Sequence, residues 1–183
     1  EQDRDGSWGN HTRTKGLNVL CPYPEGPRSF RTASTSLCVI GLLTSPLKED
    51  PAVKASLDKA LQYLLTTLPT LKRGDTRTVL GVWGHAYGLS ALSRAARNLP
   101  ADAPLREELK KVASLQVKAL DQMADVQGGW GYYTFETFSK RPIGEPTSFL
   151  TATVLLAYKD AEQDFGLKAE PRIVKRAVAC LEK

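Results

Sequence analysis

Three side chains in this sequence have the chemistry of an acid or a base. His85 follows Trp83-Gly84 at the start of an apolar stretch, Glu136 lies in an aromatic segment, and Asp5 begins an Asp-Gly pair. Histidine exchanges protons near neutral pH, and a carboxyl group does so when its surroundings raise its pKa. Each also has a structural explanation: a helix cap or a bond to a loop carbonyl for His85, a folded loop for Glu136 and an ordinary turn for Asp5. The three are candidates for catalysis, and the catalytic residues stay unassigned.

Aromatic and basic residues supply candidates for ligand binding. The aromatic ones follow a glycine-rich turn, where they suit an isoprenoid or a sugar through apolar area or stacking. Basic side chains in the long segment 10–31 suit a phosphate or carboxylate. In the alternative interpretations, the aromatic loop folds onto helix ends and the basic segment is solvated. The candidate binding residues are His85, Tyr87, Tyr132, Tyr133, Phe135, Arg28 and Arg31, with Phe138, His11, Arg13, Lys15, Cys21 and Tyr23 in the same two segments.

Composition and charge argue against several other classes of protein. The chain has 183 residues, a net charge of +5, 42% hydrophobic and 25% charged residues, which is typical of a globular protein. The longest apolar run, residues 37–43, is far shorter than the ~18 residues of a membrane span. No basic tract with interleaved aromatics occurs, so nucleic acid is not expected as a partner. Cysteine and histidine spacings match no zinc site, and we expect no metal and no cofactor.

Prolines divide the sequence into helical segments. Pro51, Pro104, Pro146 and Pro171 each precede a stretch of helical periodicity. Proline is favoured at the first helical position because its missing N–H is not needed there. The predicted helices cover about 31–45, 51–68, 83–98, 104–125, 146–164 and 171–183, with loops at about 1–30, 69–82 and 126–145.

The six predicted helices are of two alternating kinds. The second, fourth and sixth are amphipathic; the second, for example, places a stripe of leucines opposite Lys54 and Asp58. The first, third and fifth are apolar or small on nearly all sides, and Gly41, Ala91 and Ala157 share one position, 50 and then 66 residues apart. This alternation predicts an all-α fold, an α/α hairpin array of inner and outer helices. Residues 1–183 then form one domain of about three hairpins.

A turn-forming signature occurs twice in the chain. Residues 2–9 and residues 127–131 each contain a glutamine followed by glycine and a Trp-Gly pair. The glycines permit positive φ, the indole buries a large apolar surface, and the glutamine amide can bond free backbone groups at a helix end. Such a repeat supports an array of similar hairpins. The residues assigned to this structural turn are Gln2, Gly6, Trp8, Gln127, Gly129 and Trp130.

This signature resembles the prenyltransferase and squalene-cyclase repeat family, in particular uncharacterised bacterial repeat proteins of that kind. The Gln…Gly-x-Trp unit is the hallmark of the family, whose fold is an α/α toroid, so the resemblance implies a partial α/α toroid here. Two of the family's motifs are missing: the Asp-x-Asp-Asp acid of the class II cyclases, and the Asp, Cys and His zinc site of the prenyltransferases. The resemblance implies a fold and no known activity.

Two functions are consistent with these features. The first is a binding domain that holds an apolar or isoprenoid-like small molecule, or a protein partner, on its concave face and loop rim. The alternative is an isoprenoid-handling enzyme, a cyclase or transferase, whose acid is unconventional or lies outside this segment. Because three hairpins make only part of a toroid, we expect a segment of a longer protein or head-to-tail association with another copy. The sequence assigns neither an enzymatic activity nor a cellular compartment.

Overall fold

The regular structure of this chain is helical. The computed structural model describes residues 1–9, 25–137 and 139–182, and no strand occurs in those ranges apart from one isolated bridge between Thr78 and Tyr133. The all-α prediction is therefore confirmed. The helices are α1 (Glu25–Thr44), α2 (Pro51–Thr67), α3 (Gly81–Arg97), α4 (Pro104–Met123), α5 (Ser148–Phe165) and α6 (Pro171–Leu181), with a short 3₁₀ helix at Leu68–Thr70.

Local chemistry explains where most of these helices begin and end. Proline occupies the first turn of α2, α4 and α6, as the sequence predicts. Asp50 caps α2, since its Oδ1 accepts from the backbone N–H of Ala52 at 2.7 Å. Gly166 ends α5 in the left-handed conformation, with φ of +69°. No helix in the described part of the chain is both long enough and apolar enough to cross a membrane.

Helix α1 begins earlier than the sequence predicts. It starts at Glu25 and not near residue 31, so part of the predicted first loop is helical. Pro27 stands in the first turn of α1, where proline is tolerated because a backbone N–H at that position would have no intrahelical acceptor. The start of α3 is also two residues earlier than predicted, and that of α5 two residues later.

The helices pack in two rows. Helix α3 lies between α1 and α5 and forms an inner row with them, while α2, α4 and α6 pack against α1, α3 and α5 respectively. The core lies between the rows and contains Leu64, Leu89, Leu92, Leu109 and Leu120, each at most 1% exposed. The predicted alternation of inner and outer helices is therefore present. We call α1, α3 and α5 the inner row.

Helices α3 and α5 run side by side in the same direction. Trp83 stacks on Phe149 near their first turns, and Arg97 pairs with Asp164 near their last turns. Ala91 and Ala157 are completely buried, as their predicted packing position requires. Gly41, which the sequence aligns with these two alanines, is exposed and would have open space around an added Cβ.

The two predicted turns have the same backbone hydrogen bonds. In the N-terminal turn (residues 3–9), Asp3 N–H donates to Ser7 O and Gly6 N–H donates to Asp3 O. In the C-terminal turn (residues 125–131), Asp125 N–H donates to Gly129 O and Gly128 N–H donates to Asp125 O. Each tryptophan then donates its backbone N–H to a threonine of an inner helix, Trp8 to Thr35 in the middle of α1 at 2.9 Å and Trp130 to Thr151 in the first turn of α5 at 3.1 Å.

The structure aligns the two turns differently from the sequence. Asp3 corresponds to Asp125, so Gln127 stands where the N-terminal turn has Asp5. Gln2 binds backbone groups as expected, since its Nε2 donates to Gly6 O at 2.8 Å and to Ser56 O at 2.9 Å. The Gln127 side chain is exposed, and the expected hydrogen bonds from its amide to backbone groups do not form with the described residues. The two glutamines do not correspond, because Gln2 lies six residues before its tryptophan and Gln127 only three. The residues that hold the same places in both turns are the aspartate, the glycine and the tryptophan.

Candidate functional site

A cluster of aromatic side chains lies where the first turns of α3 and α5 meet. Trp83 is at its centre: its ring centroid lies 5.5 Å from Tyr87, 6.0 Å from Phe149 and 6.0 Å from Tyr132. The Tyr87 and Phe149 rings are nearly parallel to the indole. Trp83 is only partly buried and Phe149 is 54% exposed. The cluster therefore presents a stacked aromatic surface to solvent.

Two loops pair to bring Tyr132 into this cluster. Val79 N–H donates to Tyr132 O at 2.7 Å, and Thr134 N–H donates to Arg77 O at 2.9 Å. Burial raises the pKa of the Tyr132 phenol. Both segments are loops in the sequence-based prediction, and nothing local in them shows that they pair, because the bond joins residues more than 50 positions apart.

The other aromatic candidates lie farther from the centre of the cluster. Tyr133 touches the cluster only through Tyr132, with ring centroids 6.3 Å apart, and is 38% exposed. Phe135 is 68% exposed on the same loop. Of the predicted binding residues, the structure therefore brings Tyr87 and Tyr132 together, with Tyr133 at the margin.

A groove continues from the aromatic cluster along the inner row. We call it the inner groove; it has a volume of about 500 Å³. Tyr87 belongs both to the cluster and to the groove, which makes the two continuous. The lining residues come from α1, α3 and α5 and are Leu37, Ile40, Tyr87, Ser90, Arg94, Thr153, Leu156, Lys159, Asp160 and Gln163.

The middle of the inner groove is aliphatic and solvent-exposed. Leu156 is 62% exposed and Leu37 is 47% exposed, from opposite walls of the groove. Together with Phe149 they form an apolar surface that no described part of the chain covers. Contiguous exposed apolar surface of this kind marks binding sites more often than scattered single residues do.

The far end of the groove is charged. Arg97 pairs with both oxygens of Asp164 at 2.8 and 2.9 Å, which fixes that guanidinium. Asp160 lies 3.4 Å from Arg97 and 4.0 Å from Arg94 Nε. The Arg94 Nε–H is buried and finds no acceptor within hydrogen-bond distance among the described residues. The groove thus changes along its length from aromatic through aliphatic to charged.

His85, a candidate for catalysis and ligand binding, does not lie in the inner groove. Its ring is 2% exposed and faces α4, where Nδ1 lies 2.6 Å from Gln116 Oε1. Gln116 Nε2 donates to Val112 O at 3.0 Å, so its Oε1 is the acceptor and His85 carries its proton on Nδ1. Burial lowers the pKa of His85 and keeps the imidazole neutral. This histidine joins α3 to α4 and is not accessible to a ligand.

Asp5 and Arg31, two candidate residues, are paired with each other. Arg31 lies on α1, not in a loop, and contacts Asp3 at 2.7 Å and Asp5 at 3.1 Å. Burial acts to raise the pKa of Asp5, but hydrogen bonds from Ser7 and the Arg31 charge outweigh it and lower that pKa. Asp5 is therefore a carboxylate that holds the N-terminal turn on α1, and it is a poor proton donor.

The remaining candidates lie apart from the groove. Arg28, also on α1, bonds the Thr70 hydroxyl and carbonyl and lies 3.7 Å from Glu25. Glu136 is exposed on the loop before α5, and its carbonyl oxygen accepts from Ser139. Cys38 and Cys180 are partly buried free thiols. The residues of the predicted site that lie outside the described ranges are His11, Arg13, Lys15, Cys21, Tyr23 and Phe138.

Sequence reasoning missed Phe149, Leu156 and Arg94 as groove residues. The sequence does contain a signal for them. Phe149 follows Trp83 by 66 residues, the same spacing as between Ala91 and Ala157. A helical stripe that starts at Trp83 runs through Tyr87 and Ser90 to Arg94, and the same stripe on α5 starts at Phe149. If the alignment of Ala91 with Ala157 is extended along both helices, it predicts that the stripes on α3 and α5 lie side by side and form one surface.

Comparison with known proteins adds no relative. A scan against protein-family models finds no matching family, and searches among curated proteins and solved structures find no match. The function has to be inferred from the aromatic cluster and the inner groove themselves.

Proposed function

We propose that this chain is a binding module that holds an elongated apolar small molecule along the inner groove. The observation that carries this proposal is the half-exposed stack around Trp83, which continues through Tyr87 into an uncovered aliphatic groove. Complete burial of an exposed leucine or phenylalanine side chain contributes about 1.5–3 kcal/mol, and each of these half-exposed side chains would gain a part of that on contact with a ligand. Several such side chains on one surface favour an apolar ligand over water.

The size of the groove supports a small molecule as the occupant. A volume of about 500 Å³ lies within the range of known ligand pockets, about 300–1,000 Å³. Its walls belong to three packed helices, so the site is preformed, and little ordering entropy is lost on binding. A protein partner is the competing occupant and would need a much larger contact area.

An α/α toroid repeat protein of the prenyltransferase and squalene-cyclase type remains the architecture we propose. The two rows of helices and the duplicated turns, with their threonine acceptors on α1 and α5, support it. Head-to-tail association with another copy is part of the same proposal. Light scattering tests it, because a monomeric mass at high concentration contradicts association.

The alternative of an isoprenoid-handling enzyme needs a proton donor facing the groove. Asp121 is a desolvated acid, and burial raises its pKa, but its Oδ1 accepts from the Tyr158 hydroxyl at 2.8 Å in the contact between α4 and α5. His85 faces α4, and Asp5 is paired with Arg31. Asp160, the acid that does line the groove, is paired with Arg97. The described residues therefore favour binding over catalysis.

Binding of an uncharged ligand to two matched variants tests the proposed function. Tryptophan fluorescence would follow titration with dodecanol and with farnesol, because Trp83 lies beside the groove. Leu156→Asp places a charge in the groove, and we expect it to abolish saturable binding. Leu47→Asp is the control, since Leu47 is 64% exposed, like Leu156 at 62%, but lies after α1 and outside the groove.

Two outcomes would overturn the proposal. One is the absence of saturable binding by the unmodified protein. The other is equal binding by the Leu156→Asp and Leu47→Asp variants, which would place any apolar site elsewhere. Mass spectrometry of molecules extracted from the purified protein would show whether an apolar compound is already bound.

A further inference from the structure

The polarity of the inner groove identifies a class of ligand. We infer that the occupant is an amphipathic monoanion, a long-chain carboxylate whose tail lies on the aromatic and aliphatic part and whose head lies beside Arg94 and Lys159. This inference rests on the proposed binding function, which requires only an apolar ligand. It adds the charge of the head group and the direction in which the ligand lies.

The Arg94 guanidinium is the group that would receive the head. It lines the groove together with Lys159, and its side chain is 37% exposed. Its nearest carboxylate is Asp160, at 4.0 Å, which is also shared with Arg97. The buried Arg94 Nε–H has no acceptor within hydrogen-bond distance among the described residues. A ligand carboxylate would pair with the exposed part of this guanidinium, and a hydrogen bond between charged partners is stronger than a neutral one.

The charge count at this end favours a monoanion. Two cations that line the groove, Arg94 and Lys159, face one lining carboxylate, Asp160. Asp164 is committed to Arg97 by two hydrogen bonds, so Asp160 is the carboxylate left for these two cations. One excess positive charge matches one carboxylate. A phosphate or diphosphate would bring excess negative charge close to Asp160.

The distance between the two ends sets the length of the ligand. Trp83 and Arg94 are eleven residues apart on α3, which corresponds to about 16 Å at about 1.5 Å per residue. An extended alkyl chain of about a dozen carbons with a terminal carboxylate spans this distance. The aliphatic side chains of Leu37 and Leu156 would contact the middle of that chain.

A series of ligands with one tail and four heads tests the inference. Dodecanoate, dodecanol, dodecylammonium and dodecyl phosphate would be titrated below their micelle concentrations, with isothermal calorimetry and tryptophan fluorescence as readouts. We expect dodecanoate to bind roughly tenfold more tightly than dodecanol, and dodecylammonium to bind more weakly than dodecanol. Dodecyl phosphate is expected to show no gain over dodecanoate.

A variant of the head-group site completes the test. Arg94→Gln should bring the dodecanoate affinity down to that of dodecanol while leaving the dodecanol affinity unchanged, and Arg94→Lys should restore part of the difference. Arg172→Gln is the control, because Arg172 is exposed on the outer helix α6, away from the groove. The control should keep the full preference for the carboxylate.

The outcomes separate this inference from the proposed function. Equal binding of dodecanoate and dodecanol overturns the head-group assignment and leaves the apolar site standing. Tighter binding of dodecyl phosphate overturns the monoanion in favour of a more highly charged head. Binding of none of the four ligands overturns both proposals, and an unchanged preference in Arg94→Gln shows that the selectivity arises at another position.

Discussion

The N-terminal and C-terminal turns have the same backbone hydrogen bonds but hold their tryptophans in different surroundings. Trp130 is completely buried; its Nε1–H donates to Leu120 O of α4 at 2.9 Å, and its ring meets Tyr158 edge-on at 5.8 Å. Trp8 is only partly buried against the core. The turn itself is the same in both places, and the burial of Trp130 comes with its contacts to Leu120 on α4 and Tyr158 on α5. This shows that the sequence motif specifies the turn, whereas the neighbouring hairpin determines how much it stabilises the fold.

The largest difference in stability between variants of the two turns should come from removing the indole side chains. We expect Trp130→Ala to lower the free energy of unfolding by about 3–5 kcal/mol, because it leaves a cavity and removes the bond to α4. Trp8→Ala should cost about 1–2 kcal/mol, in proportion to its smaller buried area. Urea unfolding followed by circular dichroism measures both. Equal losses would mean that the surroundings of the two indoles do not differ in energy.

Adding a methyl group to the equivalent glycines tests the shared backbone geometry. Gly6 and Gly128 have φ of +88° and +104°, and an added Cβ would lie 2.3 Å from Lys59 O and 2.5 Å from Arg176 O. Both Gly→Ala variants should therefore be destabilised by about 2 kcal/mol or more, and by similar amounts. Gly41→Ala is the control: it lies in a helix with open space around it and should gain about 0.5–1 kcal/mol. A large cost at only one of the two turns would contradict their equivalence.

Removing the threonine hydroxyls that accept from the two tryptophans should also destabilise the protein to different extents at the two turns, with a smaller difference than the indole deletions give. Thr35 and Thr151 are both fully buried and accept from the tryptophan N–H groups. Thr151→Val should cost about 1–3 kcal/mol, since it leaves a buried N–H without an acceptor. Thr35→Val should cost less, because the Trp8 N–H is only partly buried and water can replace the lost partner. Thermal unfolding of the two variants, compared at one pH, decides whether the order holds.

The smallest effect is a pH dependence expected at the N-terminal turn, where Arg31 bridges Asp3 and Asp5. The pKa of Asp5 is lowered in the folded protein, from an ordinary value of 3.8, so its stabilising contribution is present above about pH 4. That contribution is lost as the pH falls below 3.8 through the folded value. Asp5→Asn should therefore be less stable than the unmodified protein at pH 6, and the two should converge toward pH 2. A difference that is constant over this range would contradict the assignment.

Helix positions were predictable from the sequence wherever local chemistry decides them. The prolines that begin α2, α4 and α6 and the leucine stripe of α2 act within one or two turns, and the predicted helices there are correct to within about two residues. The predicted start of α1 is wrong because a Gly-Pro pair such as Gly26-Pro27 is compatible with both a loop and a first helical turn. Tertiary packing of Gly26, which is buried, favours the helix.

Site positions were less predictable because they depend on helix rotation and on distant partners. Residues 85 and 87 lie about 200° apart around α3, so His85 and Tyr87 face opposite sides of the helix. A helix that is apolar on nearly all sides gives no sequence signal for which side meets α4. The pairing of Arg31 with Asp3 and Asp5 joins residues 26–28 positions apart, and spacing in the sequence does not reveal it.

Helices α3 and α5 are joined at their two ends by different kinds of interaction. Near the aromatic cluster the connection is made by backbone bonds, from Val79 to Tyr132 and from Thr134 to Arg77. At the opposite end it is made by Arg97 with Asp160 and Asp164. Dissolved ions screen exposed charges but leave amide hydrogen bonds largely intact. Rising ionic strength should therefore weaken the contact at the arginine end more than the paired loops, while the buried Ala91 and Ala157 keep the two helices packed together.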